Sequence, residues 1–302
     1  MWRVNWPRVE WPTVGMLGLC YGVWLLATWL MGGDSGWLWL PIVALSITLH
    51  SSLQHEATHG HPTGSEAVNA ALVFPPLGLF MPYGRFRALH RAHHATEALT
   101  DPARDTESFY LAPEVWARAS RQLRWLLRAQ NTLVGRVTLG PAIALARFYR
   151  GELRALRAGA PDVAAAWLLH VASVACVLVW TQVVCGVGAA EYGLAAYAGY
   201  GVLMVRTFAE HRAHPDQAGR SVVIEDRGPL ALLFLNNNLH AVHHRHPGAP
   251  WYVLPRLYAD TRSQTLTRNG SYRFDSYGDL LRRYAFRTKE PVAHPLSQAR
   301  HG

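Results

Sequence analysis

Residues 36–59 read GWLWLPIVALSITLHSSLQHEATH. From Ser35 to His55 the chain carries no Asp, Glu, Lys or Arg, long enough for a helix to cross a hydrocarbon layer of about 30 Å. The run ends in His55 and His59, an i, i+4 pair that shares one helix face and can reach a single metal ion. A membrane span that delivers metal ligands at its end is therefore the first expectation.

Working outward, two more charge-free runs extend from Trp11 to Gly33 and from Val163 to Ala190. A fourth candidate covers Ala190 to Phe208; its strictly uncharged part is Tyr192 to Val205, so Arg206 would lie near one membrane face and snorkel. The expected fold is an all-α integral membrane protein with four spans, at about 12–33, 36–59, 163–187 and 190–210. The first run has an apolar core too long for a signal peptide and no A-x-A-like site, and it is read as a retained span. Ala67 to Gly84 is also uncharged, but Pro75 and Pro76 break it into pieces too short to cross, which predicts a re-entrant or in-plane element. Arginines at helical spacing among Trp116, Leu123, Trp125, Leu126 and Leu127 predict surface-lying helices within 113–160. No repeat, low-complexity tract or linker divides the 302 residues, which are read as one domain.

Composition agrees with this reading. Half of the residues are hydrophobic and only 16% are charged, which disfavours an ordinary soluble enzyme. A net charge of +9 would suggest nucleic acid on a soluble domain, but 12 Trp and 12 Tyr beside uncharged runs point to a bilayer and its interfaces, so no nucleic-acid partner is expected. The cysteines Cys20, Cys176 and Cys185 lie in apolar stretches without a CxxC pair and read as small hydrophobes. Of the 29 basic residues, 2 precede the first span, 13 fall in 84–162 and 14 lie from Arg206 onward. The short connections Gly32 to Gly36 and Gly186 to Glu191 hold only the acids Asp34 and Glu191. The positive-inside rule then places both termini, the middle loop 84–162 and a histidine-rich helical cap at 211–302 in the cytoplasm.

Sixteen histidines are the anomaly of the composition. Besides His55 and His59 there are two HxxHH motifs, His90-Arg91-Ala92-His93-His94 and His240-Ala241-Val242-His243-His244, whose offsets place three rings on one helical stripe. His211 follows the fourth span at the same membrane boundary. Nine imidazoles exceed the three or four ligands of a zinc site and suit two metal ions of four to five ligands each; the expected pair is iron.

These motifs resemble the histidine boxes of the integral-membrane fatty acid desaturase superfamily, which also contains alkane and lipid hydroxylases and carotenoid ketolases. The resemblance runs from His50 to about Tyr258. Residues 240–258, HAVHHRHPGAPWYVLPRLY, are similar to the third box and its Pro-rich aromatic continuation, and His90 to Phe109 is similar to the second box with its trailing acids. The resemblance implies that His55, His59, His90, His93, His94, His240, His243 and His244 bind a non-haem di-iron centre, with His211 at the place of the additional ligand. Thr207 stands where the acyl-CoA branch has a water-bridging Asn, and His240 where front-end desaturases have Gln, so the chain departs from both branches. No fused cytochrome b5 domain is expected, since His246-Pro247-Gly248-Ala249 reads as part of the third box and lacks a surrounding domain.

What the resemblance implies is an O₂-dependent oxidoreductase, with no catalytic residue beyond the metal centre, that introduces a double bond into the acyl chain of a fatty acid or lipid. A ferredoxin- or cytochrome-type donor would supply electrons, and the chain would lie in the cytoplasmic membrane if it is bacterial. The alternatives are a lipid or alkane hydroxylase or a carotenoid ketolase on the same ligands, and, more distantly, a b-haem electron carrier. Metal-bound imidazoles usually donate their second N–H to an oxygen, and Glu56, Asp101, Asp105, Glu107 and Glu210 are the candidates. Asn236, Asn237 and Asn238 are expected to cap the helix of the third box. His50 reads as a hydrogen-bonded bundle histidine, and His61 and His214 as neighbours of the boxes; His170, His294 and His301 receive no role.

Overall fold

Each of the three most apolar runs starts its helix at a proline. Pro12, Pro41 and Pro161 occupy first turns, where a missing N–H leaves no hydrogen bond unmade. The computed structural model describes residues 9–34 and 36–296; Arg3, Arg8, Arg300 and His301, which enter the charge and histidine readings, lie outside them. Helix α1 covers Trp11–Met31, and a 3₁₀ turn at Gly36–Trp39 leads into α2, Leu40–Thr58. Helix α3 (Glu66–Leu72) stops before Pro75, and the chain is irregular until α4 (Tyr83–Ala95). The uncharged stretch around the proline pair thus forms no spanning helix. Helices α5 (Pro113–Arg118), α6 (Arg121–Gln130), α7 (Leu133–Thr138) and α8 (Gly140–Arg157) fill the segment where surface helices are expected. Helix α9 (Pro161–Leu178) continues as a π-turn over Val179–Val184, and α10 covers Ala189–Glu210.

Among the described residues, three stretches are long and apolar enough to cross a membrane: Trp11–Met31, Gly36–Thr58 and Pro161–Val184. Helix α10, although 22 residues long, is not one of them, because Glu191, Arg206, Glu210 and its glycines and tyrosines dilute its apolar character.

The chain divides into two units. The first comprises residues 1–87 and 149–200. Its core joins Trp24, Ala27 and Met31 of α1 to Val43 and Ile47 of α2, with Leu77, Val177, Tyr192, Ala195 and Ala196. Leu17, Cys20, Trp24, Ala27 and Met31 form the buried stripe of α1, while Leu19, Leu25, Leu26 and Trp29 remain exposed, as lipid-facing side chains would be. Polar groups in this core are paired: Trp24 Nε1 donates to Tyr192 Oη at 3.0 Å, and that hydroxyl donates to the Leu77 carbonyl at 2.8 Å. His50 meets the Tyr21 hydroxyl at 3.2 Å and is a hydrogen-bonded bundle histidine, as expected. Gly199 permits a close helix approach, since a Cβ there would lie 2.6 Å from the Ala44 carbonyl oxygen. Thr48 Oγ1 donates across that approach to Gly199 O at 2.9 Å.

The second unit comprises residues 88–148 and 201–302. Two short parallel strands, β1 (Val223–Ile224) and β2 (Arg273–Phe274), pair beside α11 (Pro229–Leu233), α12 (His240–Arg245), α13 (Leu254–Arg268) and α14 (Tyr277–Tyr284). Leu133, Phe208, Val222, Ile224, Phe234, Tyr272, Phe274, Tyr277 and Leu280 make its core. After α14 the chain runs back across the unit: Val134 N donates to Ala285 O at 3.1 Å, Lys289 N to Asn131 O at 3.1 Å, and His294 N to Leu111 O at 2.9 Å. That return places Lys289 and Glu290 beside the segment that carries His211.

Candidate metal centre

Four histidines from three separated segments meet in the second unit. His93 comes from α4, His211 follows α10 directly, and His240 and His244 lie one turn apart on α12. Each offers a ligand nitrogen, and these atoms all lie within 4.8 Å of one another. The Nε2 atom of His211 is 3.1 Å from that of His93 and 3.0 Å from that of His240, and His244 Nε2 is 3.0 Å from His240 Nε2. Two donors about 2.1 Å from one point and at right angles are about 3.0 Å apart, so the spacing suits one first-row metal ion. Within the same unit, His90, His94 and His243 form a second group, with His243 Nε2 3.2 Å from His94 Nε2. In the first unit, the rings of His55 and His59 stand 4.9 Å apart near the end of α2, as their spacing predicts.

The outward nitrogens are held by oxygen. Nδ1 of His93 donates to Asp105 Oδ1 at 2.6 Å, and Nδ1 of His90 to Glu107 Oε1 at 2.8 Å. An ionised carboxylate only accepts, so each bond fixes the ring proton on Nδ1 and leaves the neutral ring's lone pair on Nε2. Asp105 is itself fixed by backbone N–H groups of Thr100 at 2.7 Å and Glu107 at 2.9 Å. Glu210 lies 3.7 Å from His240 Nδ1 and is paired with Arg206 at 2.8 Å; Glu56 lies 3.8 Å from His55 Nδ1. Asp101 does otherwise, since it accepts from Ala103 N at 2.9 Å and pairs with Arg104 in a turn.

The asparagines correct the capping expectation. Helix α12 has Leu239 at its N-cap and no side-chain cap. Asn237 Oδ1 instead faces His240 Nδ1 at 3.2 Å while its amide donates to Glu210 at 2.9 Å; Asn238 donates to Ile224 O and Asn236 to Trp251 O. The chain enters α12 too tightly bound to β1 for these side chains to turn back onto the helix, as Ile224 N donates to Asn238 O at 2.8 Å. Two groups near His211 went unread in the sequence. Ser221 Oγ sits 3.3 Å from His211 Nδ1, and Lys289 Nζ donates to His211 O at 2.6 Å. A lone serine and a lone lysine carry no motif, and only the bridge between His211 and Ser221 and the C-terminal return bring them there.

Burial sets the charge state of these rings. Burial first, and then the neighbouring histidines, push His211, His240 and His244 well below the usual imidazole range and His94 down to about 3. They are neutral, as metal ligands must be. Burial opposes charge on His93 too, but Glu107 and Asp105 outweigh it and raise the ring to about 9. The field at that nitrogen favours a cation. His90 and His93 hold the Glu107 carboxyl below the usual carboxylate range.

Other histidines take the supporting places open to them. His61 Nδ1 pairs with the buried Glu10 at 2.6 Å, His170 meets Leu79 O at 2.8 Å, His294 meets Thr100 Oγ1 at 3.2 Å, and His214 closes a turn with Asp216. Nitrogen donors in two groups, with carboxylates behind His93 and His90, fit metal ions.

Comparison with known families agrees with this chemistry. The family described as Fatty acid desaturase matches residues 27–276, a range that contains all nine histidines. The chain belongs to the fatty acid desaturase family. Membership makes it an oxidoreductase of the desaturase and hydroxylase superfamily, associated with membranes and acting on lipid. No curated protein matches the sequence.

Proposed function

We propose that the protein is an O₂-dependent di-iron desaturase that converts a –CH₂–CH₂– unit of a fatty acid or lipid acyl chain into a double bond. The overall reaction takes two hydrogens from the chain and two electrons and two protons from outside, and reduces O₂ to two waters. The observation that carries the reading is the meeting of His93, His211, His240 and His244 Nε2 atoms, drawn from three segments, with Asp105 fixing His93 from behind. These four would hold one iron, and His90, His94 and His243 would contribute to the other; the resemblance to the histidine boxes adds His55 and His59 to the ligand set.

When bound, the iron pair supplies O₂ reduction and the oxidising power to break an unactivated C–H bond. The protein's part is positional. Asp105 and Glu107 keep the Nδ1 protons of His93 and His90 outward, so each Nε2 lone pair points into the cage. Burial of His90, His93, His240 and His243 excludes water from the ligand nitrogens. A ferredoxin- or cytochrome-type protein supplies the electrons. In the same reading α10 is a fourth span, residues 1–302 act as one domain, and both termini and the histidines face the cytoplasm, consistent with short connections that hold only acids.

The test is iron analysis of the purified full-length protein together with lipid profiling of cells expressing it or its His243→Ala variant. Iron in the parent, and lipids lacking two hydrogens that disappear with the variant, support desaturation. Lipids that gain oxygen instead assign the chain to the hydroxylases or ketolases of its superfamily. Unchanged lipids and no iron defeat the enzyme reading.

A further inference from the structure

Between Glu114 and Glu152 the chain holds seven arginines, Arg118, Arg121, Arg124, Arg128, Arg136, Arg147 and Arg150, and no carboxylate. Three of them line one groove. Arg121, Arg124 and Arg128 of α6, with Trp125 and Ala119, enclose a space of about 450 Å³ on the second unit. At 100° per residue, these three arginines and Trp125 fall within one arc of about 100° on α6, and Leu123, Leu126 and Leu127 lie on the other side. Ser120 caps the helix by accepting from Leu123 N at 3.2 Å, which fixes its start beside Ala119.

Two of the guanidiniums are held in place without anions. Arg124 and Arg128 lie over the Trp116 ring at 5.6 and 5.5 Å, and Arg124 Nη2 donates to Ala117 O at 2.7 Å. Among the described residues, no carboxylate comes within ion-pair distance of Arg121, Arg124 or Arg128. Three cations without a counter-charge, two of them oriented by Trp116, form an anion site of the protein's own making. Trp125, 70% exposed, stands on the same face as the arginines, and Leu123, also exposed, lies on the opposite side of α6. An acidic protein partner would call for the cations alone. An exposed tryptophan among arginines, on a helix whose other side is aliphatic, is what a headgroup layer over acyl chains accommodates.

We infer that the α5–α6 groove is a docking site for the phosphate of an anionic phospholipid, which Arg121, Arg124 and Arg128 bind while Trp125 enters the interface. The site adds a lipid contact distinct from the proposed substrate and does not depend on the reaction assigned above.

The test uses the full-length protein in phosphatidylcholine nanodiscs doped with a small fraction of brominated phosphatidylglycerol or of brominated phosphatidylcholine. Quenching that belongs to Trp125 is read as the difference between the parent and its Trp125→Phe variant. The expected result is apparent affinity at least about tenfold higher for phosphatidylglycerol, weakening with salt and lost in the Arg121→Gln/Arg124→Gln/Arg128→Gln variant. Inorganic phosphate at millimolar concentration leaves the quenching in place if the ligand is the lipid, and abolishes it if a free phosphate is the true ligand, which overturns the proposal. Equal quenching by both lipids overturns it as well. So does an acidic ferredoxin whose binding needs the three arginines while phosphatidylglycerol quenching does not. Unchanged circular dichroism and elution volume show that the variants remain folded.

Discussion

Lys289 Nζ donates to the backbone carbonyl of His211 at 2.6 Å, which places the only lysine of the chain directly behind a histidine of the candidate metal cage. The ammonium also meets Tyr272 Oη at 3.1 Å and lies 5.4 Å from the centre of the Phe109 ring. Its side chain is 3% exposed, so neither acceptor has water as a substitute.

Lys289→Met keeps the length of the side chain and removes its donors. Leaving buried acceptors unmatched costs about 1–3 kcal/mol. The variant should therefore melt at a lower temperature in detergent than the parent, and an unchanged melting temperature would show that the lysine carries no stability.

Asp105→Asn tests the support behind His93. The amide can turn its N–H toward His93 Nδ1 and no longer fixes the proton there, while the Thr100 and Glu107 amides lose a charged acceptor. Loss of such a partner typically weakens metal binding by about 10–100-fold. Titration with ferrous iron against a chelator should show the loss in one of two binding events; two unaltered events would separate Asp105 from the metal.

Acid stability has a contributor away from the cage. Glu225 accepts from Arg262 at 2.6 Å and from Tyr258 Oη at 2.5 Å, and it pairs with Arg273. Arg262 first, with Tyr258 and Arg273, lowers its carboxyl from 4.5 to about 2. A carboxyl depressed in the folded state stabilises above its unfolded value and loses that contribution as the pH falls through the folded value. The stability gap between the parent and Glu225→Gln should be full above pH 4.5 and close as the pH approaches about 2. Unfolding followed at a series of pH values checks this, and a gap independent of pH contradicts it.

Gly199 marks a tight helix approach in the first unit. A methyl group there would meet Ala44 O at 2.6 Å and Ile47 side-chain carbon at 3.1 Å, so the helix backbones must separate. Gly199→Ala should destabilise by about 1–3 kcal/mol, the usual cost of overpacking, despite the better helix propensity of alanine. A variant as stable as the parent would mean that the helices slide apart freely.

Much of the fold was legible because its signals are local. A charge-free run long enough to cross a bilayer needs no partner to be recognised, and three of the four expected spans are helices of the right length and hydropathy. The i, i+3 and i, i+4 histidines share helix faces by geometry alone, which is why the boxes on α4 and α12 present their rings as expected. The fourth stretch was less legible, because glycine, tyrosine and charge leave its apolar character below that of the others.

The amino-acid sequence by itself determined the membrane character, the helix class and which nine imidazoles are available as donors, since each follows from spacing within a few turns. Only tertiary structure decided which donors share a group, that Asp105 and Glu107 rather than Asp101 stand behind them, and that Asn237 faces His240 instead of capping a helix. Those choices depend on where chain segments more than a hundred residues apart come to rest, as His93 and His211 do. Periodicity is blind to that distance. It is set by burial of the core around Phe208, Ile224 and Tyr272 and by the hydrogen bonds that bring Lys289 back to His211.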